Sequence, residues 1–187
     1  MTELVSTDVV WSGWNRMLRL RIRLPDGTEI DRTVEDHGEA ASVLLFDPER
    51  RVARMIRGVR PGPLLHGLPA LVLESPAGLL DEGEAPADAA LRETEEEVGV
   101  RLRELIPLGA PFTTPGCSTE RMHIFLAEYS PADRTGEGGG LADEHENLEV
   151  LEIPLAELAA LADRGEISNM TLLALVQSLR LRRPELF

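Results

Sequence analysis

Cysteine is almost absent from the chain. Cys117 is the only one among 187 residues, so no disulfide can form within it, and a reducing compartment, the cytoplasm, is the expected location. Long apolar runs are missing as well. No stretch approaches the roughly 20 consecutive apolar residues that a membrane-crossing helix needs, and the first ten residues lack the basic segment and apolar run of a secretory leader. Basic side chains are outnumbered, 19 against 33 acidic, for a net charge of −14. Such a field repels nucleic acid and anionic membrane surfaces, so neither is expected as a partner. It does not exclude a phosphate-bearing small molecule, because a divalent cation held by clustered carboxylates reverses the field locally. His37, His66, His123 and His145 are scattered without zinc-site spacing, and Cys117 has no adjacent histidine and acid to activate a thiol nucleophile. Internal repeats and low-complexity tracts are also lacking.

What is present is the composition of an ordinary folded domain, 43% hydrophobic and 28% charged, long enough for one hydrophobic core and too short for two full domains. Over 17–24, Leu18, Leu20, Ile22 and Leu24 alternate with Arg19, Arg21 and Arg23, the pattern of a half-buried strand. Pro25, Asp26 and Gly27 turn the chain into a second strand over 28–34, and a further hairpin is expected from 43–46 and 52–57 around Asp47 and Pro48. A short apolar strand at 70–75 follows the irregular stretch begun by Pro61, Gly62 and Pro63. Strands are expected again at 105–112, 122–129 and 148–153, with a glycine-rich acidic loop over 130–147, and helical spacing marks 155–164 and 168–182. The fold class is α+β, with a mixed sheet.

The densest chemistry lies in 78–100. Gly78 is followed after five residues by Glu84, and after seven more by Arg92, Glu93, Thr94, Glu95, Glu96, Glu97, Val98, Gly99 and Val100. Pro86 suits a first helical turn and Gly99 the position just past the last, which makes this a loop and then a helix. Ala87, Ala90, Leu91, Thr94 and Val98 are expected to form its buried stripe, with Glu93, Glu96 and Glu97 sharing the other side. Carboxylates crowded at that spacing repel one another. Magnesium, a hard cation that takes oxygen ligands, would convert the repulsion into coordination.

The segment 78–100 resembles the Nudix box, in which glycine, five residues, glutamate, seven residues, then Arg-Glu-apolar-any-Glu-Glu-any-Gly-apolar succeed one another. Thr94 departs from the aliphatic residue usual there, a difference of helix packing and not of chemistry. The resemblance implies the Nudix fold, a mixed sheet sandwiched between helices, here preceded by an N-terminal hairpin region. It also implies Mg2+ (with Mn2+ as a possible substitute) held by Glu93, Glu96 and Glu97 and the backbone carbonyl of Ala77, while Arg92 and Glu84 brace the loop by a salt bridge.

The flanks narrow the substrate. The approach Glu74, Ser75, Pro76, Ala77, Gly78 is similar to that of ADP-ribose and GDP-mannose pyrophosphatases, and the proline-containing loop 114–120 is similar to that of ADP-ribose pyrophosphatases. The acidic loop 140–147 is similar to the mobile loop of the same group; 148–154 also resembles the GDP-mannose enzymes. By this resemblance Glu144 activates the attacking water together with the box residues Glu93 and Glu97, and Glu146 binds a further metal ion. Gly138, Gly139 and Gly140 are read as a hinge for that loop. Arg57, Glu120, Trp14, Arg32, Glu74 and Gly116 fall at substrate-contacting positions, while Trp11 is read as a packing residue. Residues 1–40 are expected to form dimerising strands, exchanged between two subunits so that Trp14 and Arg32 serve the partner's site, and 41–187 the hydrolase domain. The expected reaction is hydrolysis of the diphosphate of a nucleotide sugar, ADP-ribose first and GDP-mannose as the alternative. A non-catalytic nucleotide-sugar sensor is the contrasting reading; such domains typically lose a box carboxylate, and Glu93, Glu96 and Glu97 are all retained.

Overall fold

The computed structural model describes every residue except 142–146. The chain divides into two units, one of Met1–Glu39 with Pro111–Met122, the other of Ala40–Ala110 with His123–Phe187. In the first, β1 (Glu3–Ser12), β2 (Arg16–Arg23) and β3 (Glu29–Asp36) form an antiparallel sheet in that order. The alternation in β2 places Leu18, Leu20 and Ile22 on one face opposite Val34, Arg32 and Ile30 of β3 and opposite Val9, Thr7 and Leu4 of β1. The other face is charged, with Arg21–Asp31 and Arg23–Glu29 pairs across the ladder. β1 carries no regular alternation in sequence. Register shifts between Leu4 and Ser6 and between Val9 and Trp11 interrupt its period, which is why sequence reasoning did not mark it.

The larger sheet runs β10 (Glu149–Pro154), β5 (Val52–Val59), β4 (Glu39–Asp47), β9 (Arg121–Glu128), β8 (Ile106–Gly109), with β6 (Leu71–Glu74) paired to β5 and β7 (Ala77–Leu79) paired to β4. Arg121 N–H donates to Gly38 and Tyr129 N–H to Phe46, so β4 and β9 run parallel while the other pairs are antiparallel. The sheet is mixed, as expected.

β4 is buried along nearly its whole length, and a strand covered on both faces needs a layer on each. Ala41, Val43 and Leu45 join Phe125, Ala127 and Tyr129 of β9 and its extension in a cluster completed by Ala89, Ala90 and Val98 of the helix α2 (Pro86–Val98). Residues of the other parity, Leu44, Phe46 and Leu126, are equally buried, on the side where Arg183 lies over the Phe46 ring. The buried leucines of α3 (Leu155–Asp163) and α4 (Met170–Arg182), among them Leu158, Leu172, Leu175 and Leu179, supply the second layer. A four-residue helix, α1 (Pro61–Leu64), links β5 to β6. No helix among the described residues is long and apolar enough to cross a membrane.

α2 begins at Pro86 and ends at Gly99, whose φ of 62° and ψ of 38° lie in the left-handed region, as the sequence indicates. The buried stripe differs from the expected one. Ala89 is inside in place of Ala87, Leu91 is half-buried, and Glu97, expected on the side opposite the stripe, is 1% exposed. The helix is rotated so that its last turn presses a carboxylate against the sheet. Thr94 is wholly buried, and its hydroxyl donates to the Ala90 carbonyl at 2.7 Å, which is how a polar residue occupies an aliphatic position.

Candidate active site

The strand β7 and the helix α2 meet at the residues the box singles out. β7 is aligned by β4, with Ala41 opposite Gly78 and Ser42 opposite Ala77. The buried Ser42 hydroxyl donates to the Pro76 carbonyl at 3.0 Å and lies 2.8 Å from the Ser75 hydroxyl, fixing the entry into the strand. From the helix, the Glu97 carboxylate accepts a hydrogen bond from Ala77 N–H at 2.8 Å. The Glu93 carboxylate lies against Gly78: a Cβ there would stand 1.9 Å from Oε1 and 2.2 Å from Cδ. A carboxylate occupies the space that a side chain at Gly78 would take. Two box carboxylates, one turn apart on α2, are thereby brought to adjacent residues of one short strand.

Arg92 sits among the remaining acids. Its Nε and Nη2 donate to the two oxygens of Glu84 at 3.0 Å each, a bidentate pair that is the brace expected from sequence. Nη2 also donates to the Leu79 carbonyl, and Nη1 donates to Glu93 at 2.6 Å and to Glu96 at 3.2 Å. The guanidinium therefore neutralises part of the repulsion that the sequence assigned to a metal alone. The Glu84 carboxyl is held below its ordinary range, first by the hydrogen bond from Arg92 and then by Asp81 N–H.

The C-terminal end of α2 is closed by residues distant in sequence. A helix leaves its last carbonyls without intrahelical partners. Here Gly140 N–H donates to Glu96 at 3.3 Å, Gly139 N–H to Glu97 at 2.9 Å, and Thr135 N–H to Gly99 at 2.8 Å. Arg54 of β5, 4% exposed, donates from Nε to Val98 at 2.6 Å and from Nη2 to Glu137 at 3.3 Å. Its third nitrogen faces Glu152 at 3.9 Å, a carboxylate that also accepts from Tyr129 Oη. Burial lowers the Arg54 pKa from the ordinary arginine value, yet these acceptors give the buried cation its partners. Of the glycines read as a hinge, Gly138 and Gly139 are docked on the helix: a Cβ on Gly138 would meet the Glu97 carbonyl oxygen at 2.5 Å and Val98 Cα at 2.7 Å, and Gly139 N–H donates to the Glu97 carbonyl.

The other residues singled out by sequence are distributed over both units. In the larger unit, Arg57 pairs with Glu149 across the β5–β10 ladder at 2.9 Å. Both oxygens of Glu74 are engaged, one by Arg60 Nε and one by Asn169 Nδ2, each at 2.7 Å, and Asn169 also caps α4. In the smaller unit, the Trp14 ring meets His37 edge-on at 5.2 Å. His37 Nδ1 lies 3.6 Å from Glu120, and Glu120 accepts from the Thr113 hydroxyl at 2.5 Å. Trp14, His37 and Glu120 thus come together, whereas Arg32 is on the ladder beside Leu20 and donates to the Asp31 carbonyl. Gly116 has open space where a Cβ would be. Trp11, read as a packing residue, is 52% exposed in the single chain, because β1 is an edge strand with every residue exposed. Glu144 and Glu146 lie outside the described residues. Sequence reasoning passed over Arg54 and Arg60; the signal for Arg54 was a cation flanked on both sides by apolar residues, Val52 and Ala53 before it and Met55 and Ile56 after it.

Among the described residues no three His, Cys, Asp or Glu side chains converge as a ready metal cage. Magnesium does not demand one: it keeps several waters and takes one or two carboxylates together with substrate phosphates. The oxygen-only donors at β7 and α2 fit that requirement, with the Glu97 carboxylate held by Ala77 N–H and the Glu93 carboxylate paired with Arg92.

Comparison with known proteins agrees with this geometry. A GDP-mannose pyrophosphatase of Cronobacter sakazakii is 38% identical over 152 residues, covering 81% of this chain and 78% of that one. Its counterpart in Klebsiella pneumoniae is 34% identical over 168 residues, covering 88% and 83%. The crystal structure of an ADP compounds hydrolase superposes with a TM-score of 0.78 at 20% identity, over 98% of this chain and 95% of that one, which shows the fold. The NUDIX domain profile matches residues 36–174, a span that contains β7, α2 and the segment capping it, and the chain belongs to the NUDIX domain family.

Proposed function

We propose that the protein hydrolyses the diphosphate of a nucleoside diphosphate sugar. The observation that carries this reading is the convergence of Glu93 and Glu97 on Gly78 and Ala77. Water attacks one phosphorus, the bridging P–O bond breaks, and a nucleoside monophosphate and a sugar phosphate leave, with the proton of the water passing to a carboxylate. Magnesium, or manganese in its place, supplies charge neutralisation at the diphosphate and a water of lowered pKa. Glu93, Glu96 and Glu97, with the Ala77 carbonyl, are the residues that hold it. Arg92 keeps Glu84 and the loop it closes in place, and Arg57 offers a cation to the diphosphate. Glu144 is assigned as the base and Glu146 as a further ligand by resemblance alone.

The similarity to GDP-mannose pyrophosphatases over most of the chain supports GDP-mannose as the first substrate to test, and the resemblance of the loop 114–120 supports ADP-ribose beside it. A homodimer accords with the β1–β3 sheet, which has one charged face and one bearing Leu4, Val9, Leu18, Ile22 and Val34, apolar residues half-buried or exposed in a single chain. A monomeric mass in solution refutes that assembly. Function is tested by assaying GDP-mannose, ADP-ribose, UDP-glucose and diadenosine polyphosphates with Mg2+ for phosphate-monoester products. Turnover is expected on a nucleotide sugar and is expected to fall at least about a hundred-fold in Glu97→Gln. No turnover on the panel, or wild-type rates in that variant, refutes the reading.

A further inference from the structure

The geometry points to Arg54 and Gly138 as positioning residues that hold the last turn of α2, and with it Glu96 and Glu97, at the distance from β7 that metal binding requires. The inference rests on reading those carboxylates as metal-holding groups. Glu97 is gripped at both ends: Ala77 N–H holds its carboxylate and Gly139 N–H its carbonyl. Arg54 anchors the backbone of the same turn, because it is rooted in β5, the neighbour of the strand that aligns β7, and bonds the Val98 carbonyl one residue beyond Glu97. Its second bond, to Glu137, binds the segment 137–140 to the same strand. Gly138 then fits against the Glu97 and Val98 backbone with no room for a side chain. Its place follows from contact as well as conformation, since φ is +75° and the facing atoms are main chain that cannot rotate away. A small displacement of ligating groups is costly, as metal sites depend on the residues that orient their ligands.

The test separates positioning from backbone strain. Gly165 has a matching φ of +70° but nothing within 4 Å of its Cβ position, so Gly165→Ala carries the conformational cost without the collision. Full-length wild type, Gly138→Ala and Gly165→Ala are titrated with Mn2+ alone by calorimetry, with thermal unfolding followed in parallel. Both variants lose thermal stability; Gly138→Ala binds Mn2+ at least ten-fold more weakly, and Gly165→Ala stays within two-fold of wild type. Should Gly138→Ala not fold, Arg54→Lys replaces it, keeping the charge but not the fork, with a loss of three-fold or more. Equal weakening in Gly138→Ala and Gly165→Ala, or affinity unchanged in Gly138→Ala or Arg54→Lys, overturns the proposal. Wild type that binds no Mn2+ overturns the metal reading and the positioning role with it. Wild type that binds Mn2+ but turns over no nucleotide sugar overturns the substrate assignment only, and the variant comparison still decides the positioning role.

Discussion

Replacing Gly78 by alanine tests most directly whether the meeting of β7 and α2 is catalytic. The added methyl would stand 1.9 Å from Glu93 Oε1, so the carboxylate must withdraw by about 1.5 Å to regain van der Waals separation. Gly78 lies in a regular strand pair and is not among the glycines of positive φ, so alanine brings no backbone strain. The atom in the way is the end of a flexible side chain, and relief is cheap: the stability change expected is under about 1 kcal/mol, below the usual cost of overpacking a rigid core. Activity responds differently, because a misplacement of about 1 Å at reacting groups lowers rates on the order of a hundred-fold. Initial rates on GDP-mannose and ADP-ribose with saturating Mg2+, measured beside denaturant unfolding, should show kcat/KM falling by about that factor while the unfolding midpoint barely moves. Activity within three-fold of wild type refutes the placement of Glu93 in the site. Loss of fold and activity together refutes the claim that the contact is catalytic and not structural.

Two further outcomes follow from the same helix. Glu84 has a folded-state pKa lowered below its ordinary 4.5 by Arg92, so the brace contributes stability that is present above the unfolded value and lost as pH falls through the folded one. The stability difference between wild type and Glu84→Gln should therefore be present at neutral pH and shrink below about pH 4.5 in urea titrations; a difference that grows in acid contradicts the assigned pairing. Thr94→Val should raise stability by about 0.5–1 kcal/mol with activity unchanged, because the Ala90 carbonyl that accepts its hydroxyl is already in the helix ladder. Destabilisation by more than about 1 kcal/mol would show that the hydroxyl is needed.

Much of this protein was legible in its residues because the informative relations were local. Pro86 and Gly99 bound α2 through the φ preferences of two residues, and the alternation of Leu18, Leu20 and Ile22 with arginines marks a strand with two unlike faces. These are consequences of periods of two and 3.6 residues and survive without knowledge of the rest of the chain. The rotation of α2 was not of this kind. Ala87 and Ala89 are equally suited to burial, and only the position of the sheet decides that Ala89 and Glu97 turn inward. Arg54 and Val98 are 44 residues apart, and Gly138 meets Glu97 across a similar interval; no period connects them. What brings them together is the order of strands in the sheet, with β5 beside β4 and β4 aligning β7. The identity of the carboxylates was thus written locally, whereas their placement depends on hydrogen bonds between segments that become neighbours only when the sheet has formed.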